Sequence, residues 1–255
     1  MNSCILVPYH LDEHLPGLDV PLRAGEVVTA DFPPGDVWDR LAALYDAVAG
    51  AVAAVARRGG RPVVVAGDCT TALGTVAGLQ RAGAVAGIVW FDAHGDVQTL
   101  ETTASGYLGG LPLRLLVGYR PELIAARLGL QPVPERQVLL VGARDLDPPE
   151  VSYLENAQIR CREVGDLDPA DLPDGPFYLH LDLDVIDPAE VPGLRYSAPG
   201  GPGPAQVAGA LRGLLGTGQL GTGRVAAVGL ACTWHPGHDA AERVAPYLEA
   251  ALAGD

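Results

Sequence analysis

The stretch Gly87-Ile-Val-Trp-Phe-Asp-Ala-His-Gly-Asp96 changes character midway. Five uncharged residues run straight into Asp92, His94 and Asp96, spaced by Ala93 and Gly95. A continuous apolar run of this length reads as a strand buried on both faces, the habit of parallel sheets. In open α/β sheets, sites form beyond the carboxyl ends of the strands. Ligand-type side chains at such an end therefore bear on fold and chemistry together. Alternate residues of extended backbone project the same way, so these three are expected to converge.

Working outward, the same texture recurs. Strand candidates are Cys4–Val7, Val27–Ala30, Pro62–Ala66, Gly87–Phe91, Gln137–Gly142, Ile159–Val164, Phe177–Asp182 and Arg224–Ala231. Most are unbroken Val, Leu, Ile and Ala runs. Helical patterns lie between them. The longest is Asp36 to Arg58, with Asp36 as N-cap and Gly59-Gly60 as a stop. Thr71–Ala82, Leu111–Val117, Glu122–Leu128, Pro204–Leu215 and Ala240–Leu252 follow. This alternation predicts a three-layer α/β/α sandwich with a central, mostly parallel eight-stranded sheet. No linker divides it, so residues 1–255 are expected to form a single domain. Gly193–Pro204 reads as a surface loop. Gly216-Thr-Gly-Gln-Leu-Gly221 fits G-x-G-x-x-G, but it follows a helix and precedes a strand. That is the reverse of the dinucleotide-binding context, so it is read as a turn.

Composition narrows the function classes. The net charge is −14 with only 17 Lys plus Arg, which leaves no basic stripe for nucleic acid. No apolar run reaches the length of a membrane span. Residues 1–8 lack the basic start of a signal peptide, so the expected location is the cytoplasm. Cys4, Cys69, Cys161 and Cys232 form no C-x-x-C pair, so neither a disulfide framework nor a Cys-based zinc site is indicated.

Acidic residues and histidines collect at the strand ends. One strand ends in Gly67-Asp68-Cys69. Another runs Tyr178-Leu-His180-Leu-Asp182-Leu-Asp184. A third leads to Thr233-Trp234-His235-Pro-Gly-His238. Buried carboxylates are costly unless paired or bound to a cation. Asp92, His94 and Asp96, set beside His180, Asp182 and Asp184 with no lysine nearby, call for a positive partner. A divalent metal pair answers that need, because two carboxylates can bridge two ions. Asp187-Pro188 is better explained as a turn.

With these residues in place, the sequence resembles the arginase/agmatinase (ureohydrolase) family. Gly67-Asp-Cys-Thr-Thr71, Asp92-Ala-His-Gly-Asp96 and Asp182-Leu-Asp-Val-Ile-Asp-Pro188 match three of its motifs in order. The correspondence covers nearly the whole chain. The resemblance implies a dinuclear Mn2+ site that hydrolyses the amidino C–N bond of guanidino compounds. It implies Asp92 and Asp182 as bridging ligands, His94 and Asp184 on one metal, and Asp96 and Cys69 on the other. A metal-bridging hydroxide would be the nucleophile. A trimer or hexamer is also implied.

Cys69 stands where the family usually has His. A thiolate favours Zn2+, iron or copper over Mn2+. Cys69 is then either a working ligand or a structural thiol beside a single-metal site. The family's arginases carry a His in a Ser-Gly-x-x-His-Gly segment, which here reads Ser105-Gly-Tyr-Leu-Gly109-Gly110. They also hold the guanidinium with a Glu, where this chain has Thr233 or Trp234. Asp96, His180 and His235 are therefore the candidate proton-transfer groups, with His238 as a further one. Arg144-Asp145-Leu-Asp147-Pro-Pro-Glu150 matches the segment that holds the substrate's α-amino group, and Gln98 and Ser105 fall where polar groups face its carboxylate. Asp147 to Glu150 is equally a helix capping box with Pro148 at the first helical position.

The expected activity is metal-dependent hydrolysis of an arginine-like substrate, a guanidino or N-hydroxyguanidino amino acid. The alternatives are another C–N substrate, formimidoyl or simple guanidino, and a metal-binding protein without catalysis.

Overall fold

A computed structural model describes residues 2–84, 87–216 and 223–253. The strands are β1 (Asn2–Val7), β2 (Tyr9–His10), β3 (Glu13–His14), β4 (Glu26–Val27), β5 (Arg61–Ala66), β6 (Gly87–Phe91), β7 (Val138–Val141), β8 (Arg160–Arg162), β9 (Phe177–Asp182) and β10 (Val225–Ala231). The helices are α1 (Val37–Arg57), α2 (Ala72–Arg81), α3 (Pro112–Leu116), α4 (Ala125–Leu128), α5 (Pro148–Asn156), α6 (Pro204–Leu215) and α7 (Ala240–Leu252). Eight strands form one sheet in the order β4-β1-β5-β10-β9-β6-β7-β8. Every pairing in it is parallel. β2 and β3 make a separate antiparallel hairpin.

The period-two pleat divides the apolar residues between two cores. Ile88 and Trp90 of β6 join the core under α1 and α2, with Leu41, Leu44, Leu73 and Val76. Val89 and Phe91 join the core under α6 and α7, with Val207, Leu211, Val244 and Leu248. This is why β6 carries no alternation: both its faces are covered. Burying each such side chain contributes about 1.5–3 kcal/mol. α1 begins at a reciprocal cap, in which the Asp39 N–H donates to Asp36 and the Asp36 N–H donates to Asp39, each at 3.0 Å. No helix among the described residues is long and apolar enough to cross a membrane.

The differences from the expected elements lie at the margins. The strand expected at Val27–Ala30 is the two-residue edge strand β4, although the Val28 N–H still donates to the Leu6 carbonyl at 2.8 Å. With one neighbour only, little holds it extended. Ile159–Val164 shortens to β8 at the opposite edge, and Glu122–Leu128 shortens to α4. Of the G-x-G-x-x-G stretch at 216–221, all but Gly216 lie outside the described residues.

For the site, the useful fact is adjacency. β5, β10, β9 and β6 lie side by side, so their carboxyl ends form one central rim. The β2–β3 hairpin closes over the end of β5, where the Gly67 N–H donates to the Tyr9 carbonyl at 2.9 Å. A Cβ on Gly67 would lie 2.5 Å from that oxygen. Gly67→Ala should therefore cost about 1–3 kcal/mol through overpacking. An unchanged urea midpoint would refute the close approach.

Candidate metal centre

Three strands of the rim end in the same way. The side chains of Asp68, Asp92 and Asp182 each accept the backbone N–H two residues on: Thr70 at 2.8 Å, His94 at 2.7 Å and Asp184 at 2.9 Å. Short Asp side chains make such turns readily. This corrects the extended-chain reading of both clusters. β6 stops at Phe91 and β9 at Asp182, and Asp184 sits in the 3-10 turn Leu183–Val185. Asp96 has φ +54°, left-handed backbone. The ligand-type side chains meet because the chain turns, not because a strand runs on.

Two groups of donor atoms result, one from Cys69, Asp92 and Asp96, the other from Asp92, His94 and Asp184. Within each group the atoms lie within 4.8 Å of one another, and Asp92 belongs to both. Asp92 is held from beneath by Trp90, whose indole N–H donates to it at 3.0 Å. His94 Nδ1 lies 3.3 Å from Asp92 and 3.1 Å from Asp184. Asp182 stands outside both groups. Its oxygens accept from the Cys69 thiol at 2.8 Å, the Thr233 hydroxyl at 2.8 Å and the Asp184 N–H.

Burial and close neighbours shift these groups together. Burial opposes charge on His94, but its bonds to Asp184 and Asp92 override this and push it up to about 12. Burial and then the Asp92 charge push Asp96 up, and push Asp184 up to about 6. Burial, then Asp182, push the Cys69 thiol up. One oxygen of Asp96 has no hydrogen-bond partner although it is fully enclosed.

Cys69, His94, Asp96, Asp182 and Asp184 border a cavity of about 160 Å³ whose wall contains neither Asp92 nor any Arg or Lys among the described residues. Gln98, Ser105, Asp147 and Glu150 also line it. Asp147 and Glu150 cap α5 as well: the Asp147 N–H donates to Glu150 at 3.1 Å, and Gln98 donates to Asp147 at 2.8 Å. Other candidate residues lie elsewhere. The Asp145 side chain is 66% exposed, 3.9 Å from His94 Nε2. His180 is buried beneath the rim, stacked on Trp90 at 3.6 Å and bonded to the Tyr178 hydroxyl. Like His180, the exposed His235 is absent from the wall. Thr233 lines the cavity, whereas Trp234 is buried and donates to the Asp19 carbonyl.

The donor set fits divalent cations. The carboxylates converge, one buried oxygen is unpartnered, and Asp96 holds a backbone conformation that costs a non-glycine residue energy.

Residues 13–228 match the sequence profile of the Arginase family. The chain belongs to the arginase family. It is 33% identical over 169 residues to an arginase of Bacillus caldovelox, covering 60% of this chain and 56% of that one. It is 34% identical over 195 residues to an arginase of Eremothecium gossypii, covering 70% of this chain and 48% of that one. The chain thus spans about half the length of these curated relatives. Among solved structures, the arginase of Bacillus cereus matches with TM-score 0.81 at 25% identity, over 98% of this chain and 96% of that one. Formimidoylglutamase from Bacillus subtilis shares the fold at TM-score 0.71 and 16% identity, over 99% and 86% of the two chains.

Three aromatic groups of this arginase-family chain escaped sequence reasoning. Tyr107 and Tyr196 line the cavity, and His10 lies behind Tyr107. His10 ends β2 and the two tyrosines lie in separate loops, so no local pattern marks them. Trp90 looked like core and is core; only its indole N–H has a second use.

Proposed function

We propose that the chain is a metal-dependent hydrolase that cleaves the amidino C–N bond of an arginine-like amino acid. The observation that carries this reading is the sharing of buried Asp92 by two donor groups whose other members, Cys69, Asp96, His94 and Asp184, line one cavity. Cys69, Asp92 and Asp96 would hold one divalent cation, and Asp92, His94 and Asp184 the other. Mn2+ is the family expectation, with Zn2+ favoured wherever the thiolate binds. Such cations, when bound, polarise the substrate and make water a nucleophile at neutral pH.

The rest falls to the chain. To serve as a ligand, Cys69 must lose the proton it donates to Asp182. The same loss frees an Asp182 oxygen to face the cation. Gln98, Ser105, Asp147 and Glu150 offer polar groups to the amino-acid tail, and the α5 cap holds the two acids in place. The Thr233 hydroxyl is already used on Asp182, so no added carboxylate greets a plain guanidinium there. This favours a modified head such as an N-hydroxyguanidine. The exposure of Asp145 outside the cavity wall favours a second reading, a formimidoyl or simple guanidino substrate with no α-amino group to hold. A cytoplasmic trimer or hexamer completes the proposal.

The test is incubation of chain loaded with Mn2+, and separately with Zn2+, with a panel of guanidino, N-hydroxyguanidino and formimidoyl compounds. A urea-type or ammonia product from at least one is expected. Verified metal with no product from any would sink the reading. Elemental analysis tests the ligand assignment. Cys69→His should raise Mn2+ affinity roughly tenfold or more and lower the preference for Zn2+. Equal Mn2+ uptake by the two proteins would remove Cys69 from the metal shell.

A further inference from the structure

Gly109 has no side chain, yet the space a side chain would enter is filled. A Cβ at Gly109 would lie 2.2 Å from the Tyr107 ring and 2.3 Å from its hydroxyl oxygen. Tyr107 has folded back over Gly109 and lines the same cavity as Cys69, Asp96 and Asp182. Its hydroxyl lies 3.2 Å from His10 Nε2, and the two rings are stacked 5.7 Å apart at 11°. His10 is 8% exposed, and its Nδ1 lies 3.0 Å from the Gly67 carbonyl. On the cavity side the Tyr107 ring packs against Tyr196 at 4.8 Å.

The hydrogen bonds fix the direction of the protons. A carbonyl only accepts, so His10 Nδ1 must carry hydrogen. In the neutral imidazole Nε2 then has a free lone pair, and the Tyr107 hydroxyl must donate to it. The lone pairs of the phenol oxygen are left for the cavity side, where Tyr196 is also within hydrogen-bonding reach of Tyr107.

We infer that Tyr107 and His10 form the proton-transfer pair of the cavity, with Tyr107 the catalytic residue and His10 the group behind it. The inference rests on the hydrolase reading above. In one direction the Tyr107 oxygen takes a proton from a donor in the cavity while its own proton crosses to His10 Nε2. His10 is then imidazolium, with Nδ1–H on the Gly67 carbonyl and Nε2–H on Tyr107. In the other direction His10 returns that proton to Tyr107, and Tyr107 releases one to the nitrogen that leaves the substrate. No electrons are exchanged and the pair ends as it began. Asp68, Cys69 and Tyr196 are the other titratable groups that face Tyr107. The Asp68 oxygens already accept from the Leu11 N–H and from Thr70.

The experiment uses the full chain loaded with Mn2+ or Zn2+ and whichever panel compound it turns over. Tyr107→Phe keeps the ring and removes the hydroxyl. A fall in kcat of roughly 10²–10⁴-fold with KM little changed is expected. The double variant Tyr107→Ala with Gly109→His puts an imidazole into the same space and should recover part of what Tyr107→Ala loses. An unchanged kcat in Tyr107→Phe, or a loss seen in KM alone, overturns the pair. A second readout needs no metal or substrate. Nitrogen-15 NMR of the histidine side chains should show His10 protonated at Nδ1, with the Nε2 signal moving in Tyr107→Phe. The opposite tautomer in the wild type overturns the relay even if the enzyme is active. A wild type that turns over nothing defeats the hydrolase reading and this role with it. An active wild type indifferent to Tyr107→Phe defeats the role alone.

Discussion

Asp92→Asn is expected to empty both donor groups at once. The amide oxygen still accepts the His94 N–H, so the turn after β6 is retained, while the amide NH2 meets the Trp90 indole N–H donor to donor and that bond is lost. What disappears is the charge that the two groups share. Elemental analysis should find metal per chain falling from two toward none, and kcat/KM on the best substrate should drop about 10³-fold or more, equivalent to about 4 kcal/mol. Asp184→Asn is the control, because Asp184 belongs to one group only. It should leave roughly half the metal. Two metals retained in Asp92→Asn would mean that Asp92 is not shared.

Asp96→Asn should change sign with metal. In the metal-free chain Asp96 is buried, has an unpartnered oxygen, sits in left-handed backbone and faces Asp92 and Asp182. Asparagine is neutral and tolerates that backbone better. Relief of the buried repulsion by about 2 kcal/mol would raise the metal-free Tm by roughly 4–8 °C. In the metal-loaded chain the same change removes a ligand, so Tm should fall below that of the wild type. Calorimetry with and without chelator reads both arms. A drop in both would show that Asp96 serves the fold rather than a cation.

Residues that answer to one physical demand were legible in sequence. β5, β6, β7, β9 and β10 are covered on both faces, and that demand alone writes unbroken apolar runs. The edge strands β4 and β8 have one neighbour each, so their residues are chosen by other needs and their limits were misjudged. The acids at the ends of β6 and β9 stood out because nothing in a core explains them. Their convergence was inferred from pleat geometry, whereas Asp-capped turns produce it, and one-letter patterns do not separate the two. His180 and His235 show the opposite error. A histidine near a strand end is attractive by position, but one packs under Trp90 and the other faces solvent. Tyr107 over Gly109, backed by His10, was out of reach, since those residues are 97 positions apart.

The place of β10 in the sheet sets the order in which the rim comes together. It is the last strand in sequence among the described residues, yet it lies between β5 and β9. Until residues 225–231 are available, β5 and β9 each present an unpaired row of backbone donors and acceptors. The sheet then consists of two halves, β4-β1-β5 and β9-β6-β7-β8. Cys69 belongs to the first half, and Asp92, Asp182 and Asp184 to the second. Their contacts span up to 113 residues, the long-range pairing that slows folding and leaves sticky edges exposed meanwhile. Docking of β10 joins the halves and, in the same event, brings the thiol to the carboxylates. The Cys69 part of the centre is therefore a seam that exists only once the chain is nearly complete, whereas Asp92, His94 and Asp184 all belong to the second half and need no β10 to meet.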